Sequence, residues 1–207
     1  MTKSNISSWE KIGNIGVITI SNGKENYLIE PEFVNLSDFR KWTNDPELKG
    51  LIIRGLGRNF SAGASYNDLI DLAKDANLFT QKIKAGKQIL DFIEDLDIPV
   101  IAAINGVCFG GGLEIALACH IRIATEKALF AFPETILGLI PGLGGIFRIN
   151  QLLEKNNIYE LILNADMVNA LDAKEFGIVD YISESKDALD LALIKIKNLT
   201  HERSKDV

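Results

Sequence analysis

Apolar and polar positions follow two periods along this chain, and the switches between them lay out its elements. Short apolar runs bounded by glycine, proline, asparagine or serine recur at residues 16–20 (GVITI), 51–54 (LIIR), 99–105 (PVIAAIN), 121–124, 128–132 (ALFAF) and 178–182; these read as strands. Between them the period lengthens. Phe33, Leu36 and Phe39 have helical spacing within 31–42, and Asn44-Asp45-Pro46 stops that helix. Ile83, Ile89, Leu90, Ile93 and Leu96 keep one stripe of a long helical region up to Asp97, where Pro99 opens a strand. Leu152, Leu153, Leu161 and Ile162 supply the apolar face beyond a helix beginning near Ile146. A helical turn at 171–176, an amphipathic helix at 186–199 and a polar, frayed tail at 201–207 complete the pattern.

A strand, a crossover helix and a second strand of this kind form a right-handed unit in a mostly parallel sheet. The loops after the strands then share one edge, where α/β folds place ligands. Residues 62–64 and 110–112 are expected to face each other there.

The second of these loops holds the densest chemistry. Gly110, Gly111 and Gly112 lie between a strand and a helix beginning near Leu113. Ordering three glycines loses much backbone entropy, so the backbone itself is expected to approach something closely. N–H groups at a helix start favour an electron-rich partner. Neither the Gly-Lys-Ser/Thr of a phosphate loop nor a dinucleotide spacing is present. Glu114 follows instead, which repels phosphate but suits proton transfer beside a carbonyl. This favours an oxyanion site; the competing reading is a tight turn with Glu114 serving the helix dipole.

Composition narrows the class. The 207 residues suit one core, and 47% hydrophobic content places them among globular proteins. A net charge of −6 offers no basic field for nucleic acid or anionic lipid. No apolar run reaches membrane length and the first residues, MTKSNISSWEK, lack an apolar signal core, so a soluble, cytoplasmic protein is expected. Cys108 and Cys119 lack C-x-x-C spacing and only His120 and His201 accompany them, which argues against a zinc site or a disulfide framework; both cysteines read as small core residues.

Four motifs together resemble the crotonase (enoyl-CoA hydratase/isomerase) superfamily. They are Phe60-Ser61-Ala62-Gly63-Ala64, residues 98–125 (IPVIAAINGVCFGGGLEIALACHIRIAT), residues 130–145 (FAFPETILGLIPGLGG) and residues 170–180 (ALDAKEFGIVD). The resemblance implies an α/β fold, a spiral of ββα units with a shortened C-terminal helical region. It divides the chain into a core at 1–185 and a truncated helix and tail at 186–207. It also implies backbone donors at Ala64 and Gly111 forming an oxyanion hole for a thioester carbonyl, with Ala62, Ser65 and Gly110 in the substrate site. Glu114 would activate water and Glu134 would deliver a proton to the α carbon. Without the resemblance, two glutamates so spaced read as unrelated surface or capping residues. No metal or redox cofactor is implied: coenzyme A or phosphopantetheine belongs to the substrate.

The chain departs from the family pattern in several places. Ser65 replaces a usual Asp and is followed by Tyr66 and Asn67, Gly144-Gly145-Ile146-Phe147-Arg148 replaces Gly-Gly-Thr-Gln-Arg, and His120 replaces an acid. His120 is read as a structural, hydrogen-bonded residue. Family members usually continue with further helices past the region matching 186–199. The expectation is therefore a homotrimer or hexamer built differently, a more open site, or a shortened sequence, and an open site would admit an acyl carrier protein. The reading is an enoyl-thioester hydratase. Its rivals are an isomerase, decarboxylase, hydrolase or dehydratase of the same family, or a silent assembly subunit.

Overall fold

The computed structural model describes residues 6–152 and 161–203. Its main sheet runs β1 (Ser7–Ile12), β2 (Ile15–Ile20), β3 (Gly50–Gly55), β4 (Val100–Ile104), β6 (Ile121–Thr125) and β9 (Tyr181–Ser183) in that spatial order. β1 and β2 are antiparallel, and every later neighbour is parallel. A smaller sheet joins β5 (Val107–Phe109) in parallel to β7 (Leu129–Ala131), which pairs antiparallel with β8 (Val168–Asn169). The helices are α1 (Leu36–Thr43), α2 (Tyr66–Ala73), α3 (Ala76–Glu94), α4 (Gly111–Ala118), α5 (Gly145–Leu152), α6 (Ala170–Phe176) and α7 (Ala188–Arg203), with a 3-10 helix at Pro133–Leu137. Twice the chain passes from the main sheet to the small sheet to a helix, as β4–β5–α4 and as β6–β7–3-10–α5. This is the expected ββα spiral.

The central strands are mostly apolar because both of their faces are covered. Ile18, Ile20, Leu51, Ile53, Val100, Ala102 and Ile104 belong to the larger core with Phe39, Ile89, Leu90, Ile93 and Leu113 of the helices. The alternate positions Ile15, Val17, Ile52, Ile101, Ala103 and Ile123 meet Ala188, Ala192 and Ile196 of α7. The C-terminal helix is therefore one wall of the core. Its start is fixed by Asn105, which accepts from Ala188 N–H at 2.9 Å and donates to Asp187 at 3.0 Å, while Arg54 pairs with Asp187 at 3.0 Å.

Side-chain capping sets several boundaries that periodicity misplaced. The stretch 31–42 becomes helical only at Leu36, because Asn35 accepts from the N–H groups of Ser37 and Asp38; Phe33 enters the core from non-helical chain ahead of it. The single helical region expected before Asp97 is two helices, and Asp75 caps the second through Asn77 and Leu78 N–H. The run 178–182 pairs only from Tyr181, while Ile178 and Val179 are buried before the strand. β1, β5, β8 and the 3-10 helix are too short or too polar to show a period. Leu153 and the tail at 204–207 lie outside the described residues.

His120 accepts from Val100 N–H at 3.1 Å through Nδ1, so its proton sits on Nε2, which lies 3.1 Å from Glu94 O. It ties the end of α3 to the start of β4. Cys108 and Cys119 are buried and unpaired. Among the described residues no helix is long and apolar enough to cross a membrane.

Candidate active site

The loop after β3 is held from two sides. Asn26, fully buried and with φ +51°, donates to the carbonyls of Leu56 at 3.0 Å and Asn59 at 2.8 Å. The Ser61 hydroxyl donates to Asn26 O at 2.8 Å and accepts from Gly63 N–H at 3.1 Å. Leu28 N–H donates to Gly63 O on one side, and Phe109 N–H donates to Ser61 O on the other, each at 2.9 Å. Residues 61–64 are thereby clamped between the Leu28 segment and β5.

The glycines are spaces that the neighbouring chain fills. A Cβ on Gly63 would lie 2.8 Å from Phe109 O and 3.2 Å from Gly111 N. One on Gly110 would lie 2.6 Å from Glu134 Oε1, and one on Gly112 would lie 2.6 Å from Ser61 O. Gly63 and Gly110 also have positive φ, +77° and +50°. The two loops expected to face each other are thus in contact. Gly111 opens α4, where a helix leaves its first N–H groups without internal acceptors. Neither its N–H nor that of Ala64 donates to a protein carbonyl among the described residues.

A cavity of about 270 Å³ is bounded on this side by Ala62, Ala64, Gly110, Gly111, Glu114 and Glu134. Leu69 and Leu72 of α2, Phe79 and Ile83 of α3, and Leu139, Ile140 and Leu143 form an apolar wall. Ser65 is not among the lining residues. Its hydroxyl accepts from Asp68 N–H and bonds the Asp68 carboxylate, so it caps α2, whereas Asp68 itself reaches the cavity.

The two glutamates are buried for different structural reasons. Glu114 sits in the first turn of a helix that is buried all round, and it is 2% exposed. Its Oε1 accepts from Leu143 N–H at 2.7 Å and Gly145 N–H at 2.8 Å. Burial pushes its carboxyl up to about 7, opposed by the Gly145 N–H and reinforced by the Glu134 charge; Leu143 N–H and Arg148 also pull it down. Glu134 follows Pro133 at the start of the 3-10 helix. Its Oε2 is buried with no hydrogen-bond partner among the described residues, and burial likewise pushes this carboxyl up to about 7. Two carboxyls so placed take up protons near neutrality as a pair. Two amides from the 143–145 turn favour the Glu114 anion, whereas against its burial Glu134 has only its own backbone N–H, a balance that favours its acid.

Sequence reasoning missed Asn26, whose buried polar bonds follow no period. It also missed Leu143 and Gly145 as donors, because backbone N–H groups leave no mark in residue type. Arg148 stood out only as the end of a loop motif.

A two-sheet ββα spiral with a polar cavity floor between the glycine triplet and the 3-10 helix is the crotonase class of fold. The chain belongs to the enoyl-CoA hydratase/isomerase family, whose model matches residues 10–206. It is 37% identical over 168 residues to a "Probable enoyl-CoA hydratase" of Bacillus subtilis, a match spanning 80% of this chain and 64% of that relative, slightly under two thirds of its length. Among solved structures it is similar to an enoyl-CoA hydratase from Polaromonas sp. JS666, with TM-score 0.88 and 28% identity over 94% of this chain and 77% of that one. It is also similar to DspI of Pseudomonas aeruginosa, with TM-score 0.85 and 29% identity over 96% and 76%.

Proposed function

We propose that this chain is an enoyl-thioester hydratase, adding water across the α,β double bond of an acyl group carried on coenzyme A or on a phosphopantetheine arm. The observation that carries the reading is one apolar cavity bordered by Glu114, Glu134 and the backbone of Ala64 and Gly111. Amides aimed at the thioester oxygen stabilise the charge that develops there as the β carbon is attacked, and one such donor is typically worth about 3 kcal/mol.

The hydrogen bonds support one division of the proton transfers. Glu114, anionic under its two N–H donors, takes a proton from water as the oxygen bonds to the β carbon. Glu134, kept as the acid by burial, gives its proton to the α carbon as the enolate collapses. Hydrogen and hydroxyl are then both on the product, and the proton on Glu114 returns to Glu134 through solvent.

The test follows an enoyl thioester by loss of its conjugated ultraviolet absorbance and by the appearance of the 3-hydroxyacyl product. Glu114→Gln and Glu134→Gln are each expected to lower kcat by about 10² or more. Double-bond migration that survives Glu114→Gln would establish an isomerase instead. No turnover by the unaltered chain would favour a silent subunit.

A further inference from the structure

We propose that Arg148 is a positioning residue for Glu114, gripping the turn whose two amides bind the Glu114 carboxylate. The inference rests on the reading of Glu114 as the base. Arg148 lies on α5 and its side chain is 4% exposed. Its Nη1 donates to Leu143 O at 2.9 Å, Nη2 to Asp91 Oδ1 at 2.8 Å, and Nε to Glu94 Oε2 at 3.0 Å. The two acids stand on α3, so the guanidinium fork fastens the turn to a rigid helix. The far end of the same turn is held by Arg148 N–H, which donates to Gly144 O at 3.1 Å.

The gripped atom and the working atom belong to the same residue. Leu143 offers its carbonyl to Arg148 and its N–H to Glu114, so moving one peptide group moves the other contact. Between Leu143 and Gly145, Gly144 has φ +97°, and a Cβ there would lie 2.6 Å from Arg148 Nη1. The turn and the guanidinium are therefore packed as one piece. A lysine at 148 keeps the charge but lacks the planar fork that spans the carbonyl and both acids.

The charged groups around Glu114 set the sign of the effect. Glu134 faces it from the 3-10 helix and Arg148 from α5; Asp91 and Glu94 of α3 lie beyond Arg148 and are paired with it. Asp68 of α2 and Glu30 border the same cavity, and Glu30 is paired with Lys82 of α3. Removing Arg148 withdraws the cation acting on Glu114 and loosens both amides, and each change favours the protonated carboxyl.

The test is a pH titration of the Glu114 carboxyl by carbon-13 NMR, assigned with Glu114→Gln, together with the pH profile of kcat/KM. In Arg148→Met the Glu114 midpoint and the acid limb are expected to rise by about one pH unit, a tenfold change in proton affinity. Arg148→Lys should show a smaller rise, with the rate at high pH largely restored. An unchanged Glu114 midpoint in folded Arg148→Met, with activity lowered equally at every pH, overturns the proposal. If Arg148→Met does not fold, an unchanged midpoint in Arg148→Lys overturns it. The NMR midpoint is read whether or not the chain hydrates thioesters, so failure of the catalytic reading is seen separately, as full activity in Glu114→Gln.

Discussion

Glu134→Gln should trade activity for stability, and the exchange should depend on pH. Glu134 is pushed from 4.5 up to about 7 by burial, and its Oε2 has no partner among the described residues. Its folded pKa is raised, so between those values the folded chain holds a proton that the unfolded chain has released. Stability therefore falls as pH rises through this window and levels off above it. At about 1.4 kcal/mol per pH unit, the loss between about pH 5 and about pH 8.5 comes to roughly 2.5 kcal/mol as an upper figure. The amide in Glu134→Gln does not titrate, so this loss should vanish while any fixed penalty of the amide remains at both pH values. Equilibrium urea unfolding of both proteins at the two pH values measures the difference of differences. The variant is expected to gain about 2 kcal/mol on the parent between pH 5 and pH 8.5. Parallel stability curves would refute the claim that Glu134 is held protonated by its surroundings.

The remaining predictions concern the spaces that hold the site. Gly110→Ala puts a Cβ 2.6 Å from Glu134 Oε1 at a residue with φ +50°, so it should lower kcat far more than it raises KM in thioester turnover. Gly63→Ala meets Phe109 O at 2.8 Å with φ +77° and should cost about 1–3 kcal/mol in urea unfolding as well as activity. Asn26→Ala removes the two bonds that the buried amide makes to the Leu56 and Asn59 carbonyls and should cost about 2 kcal/mol with a matching loss of turnover. Gly16→Ala lies far from the cavity, and its Cβ would fall 2.1 Å from the Trp9 ring, which stacks on Trp42 at 5.0 Å. It should weaken the near-ultraviolet circular dichroism of that pair while leaving kcat unchanged.

Legibility differed between the fold and the site. The strands at 51–54, 99–105 and 121–124 were readable because a strand buried on both faces is a mostly apolar run. The helix at 186–199 was readable because only one of its faces meets the sheet. Helix starts were less so: Asn35 and Asp75 cap helices by accepting specific N–H groups, a contact that a polar residue in a periodic stretch does not announce. Ser65 shows the limit at the site, since a polar residue beside a motif turned out to cap α2 while Asp68, one helical turn on, borders the cavity.

The amino-acid sequence by itself determined most of the main-sheet strands and the facing of the loop at 62–64 with the glycine triplet, because local period and residue type carry them, and its four motifs carried the family resemblance that implied the ββα spiral. Only the tertiary structure decided how Glu114 and Glu134 differ. Both are glutamates in the chain, yet one receives two amides from a turn about thirty residues away, while the other has only its own backbone N–H and an Oε2 without a partner among the described residues. Desolvation and hydrogen bonding depend on what the folded chain brings near a carboxyl, and no local pattern records that.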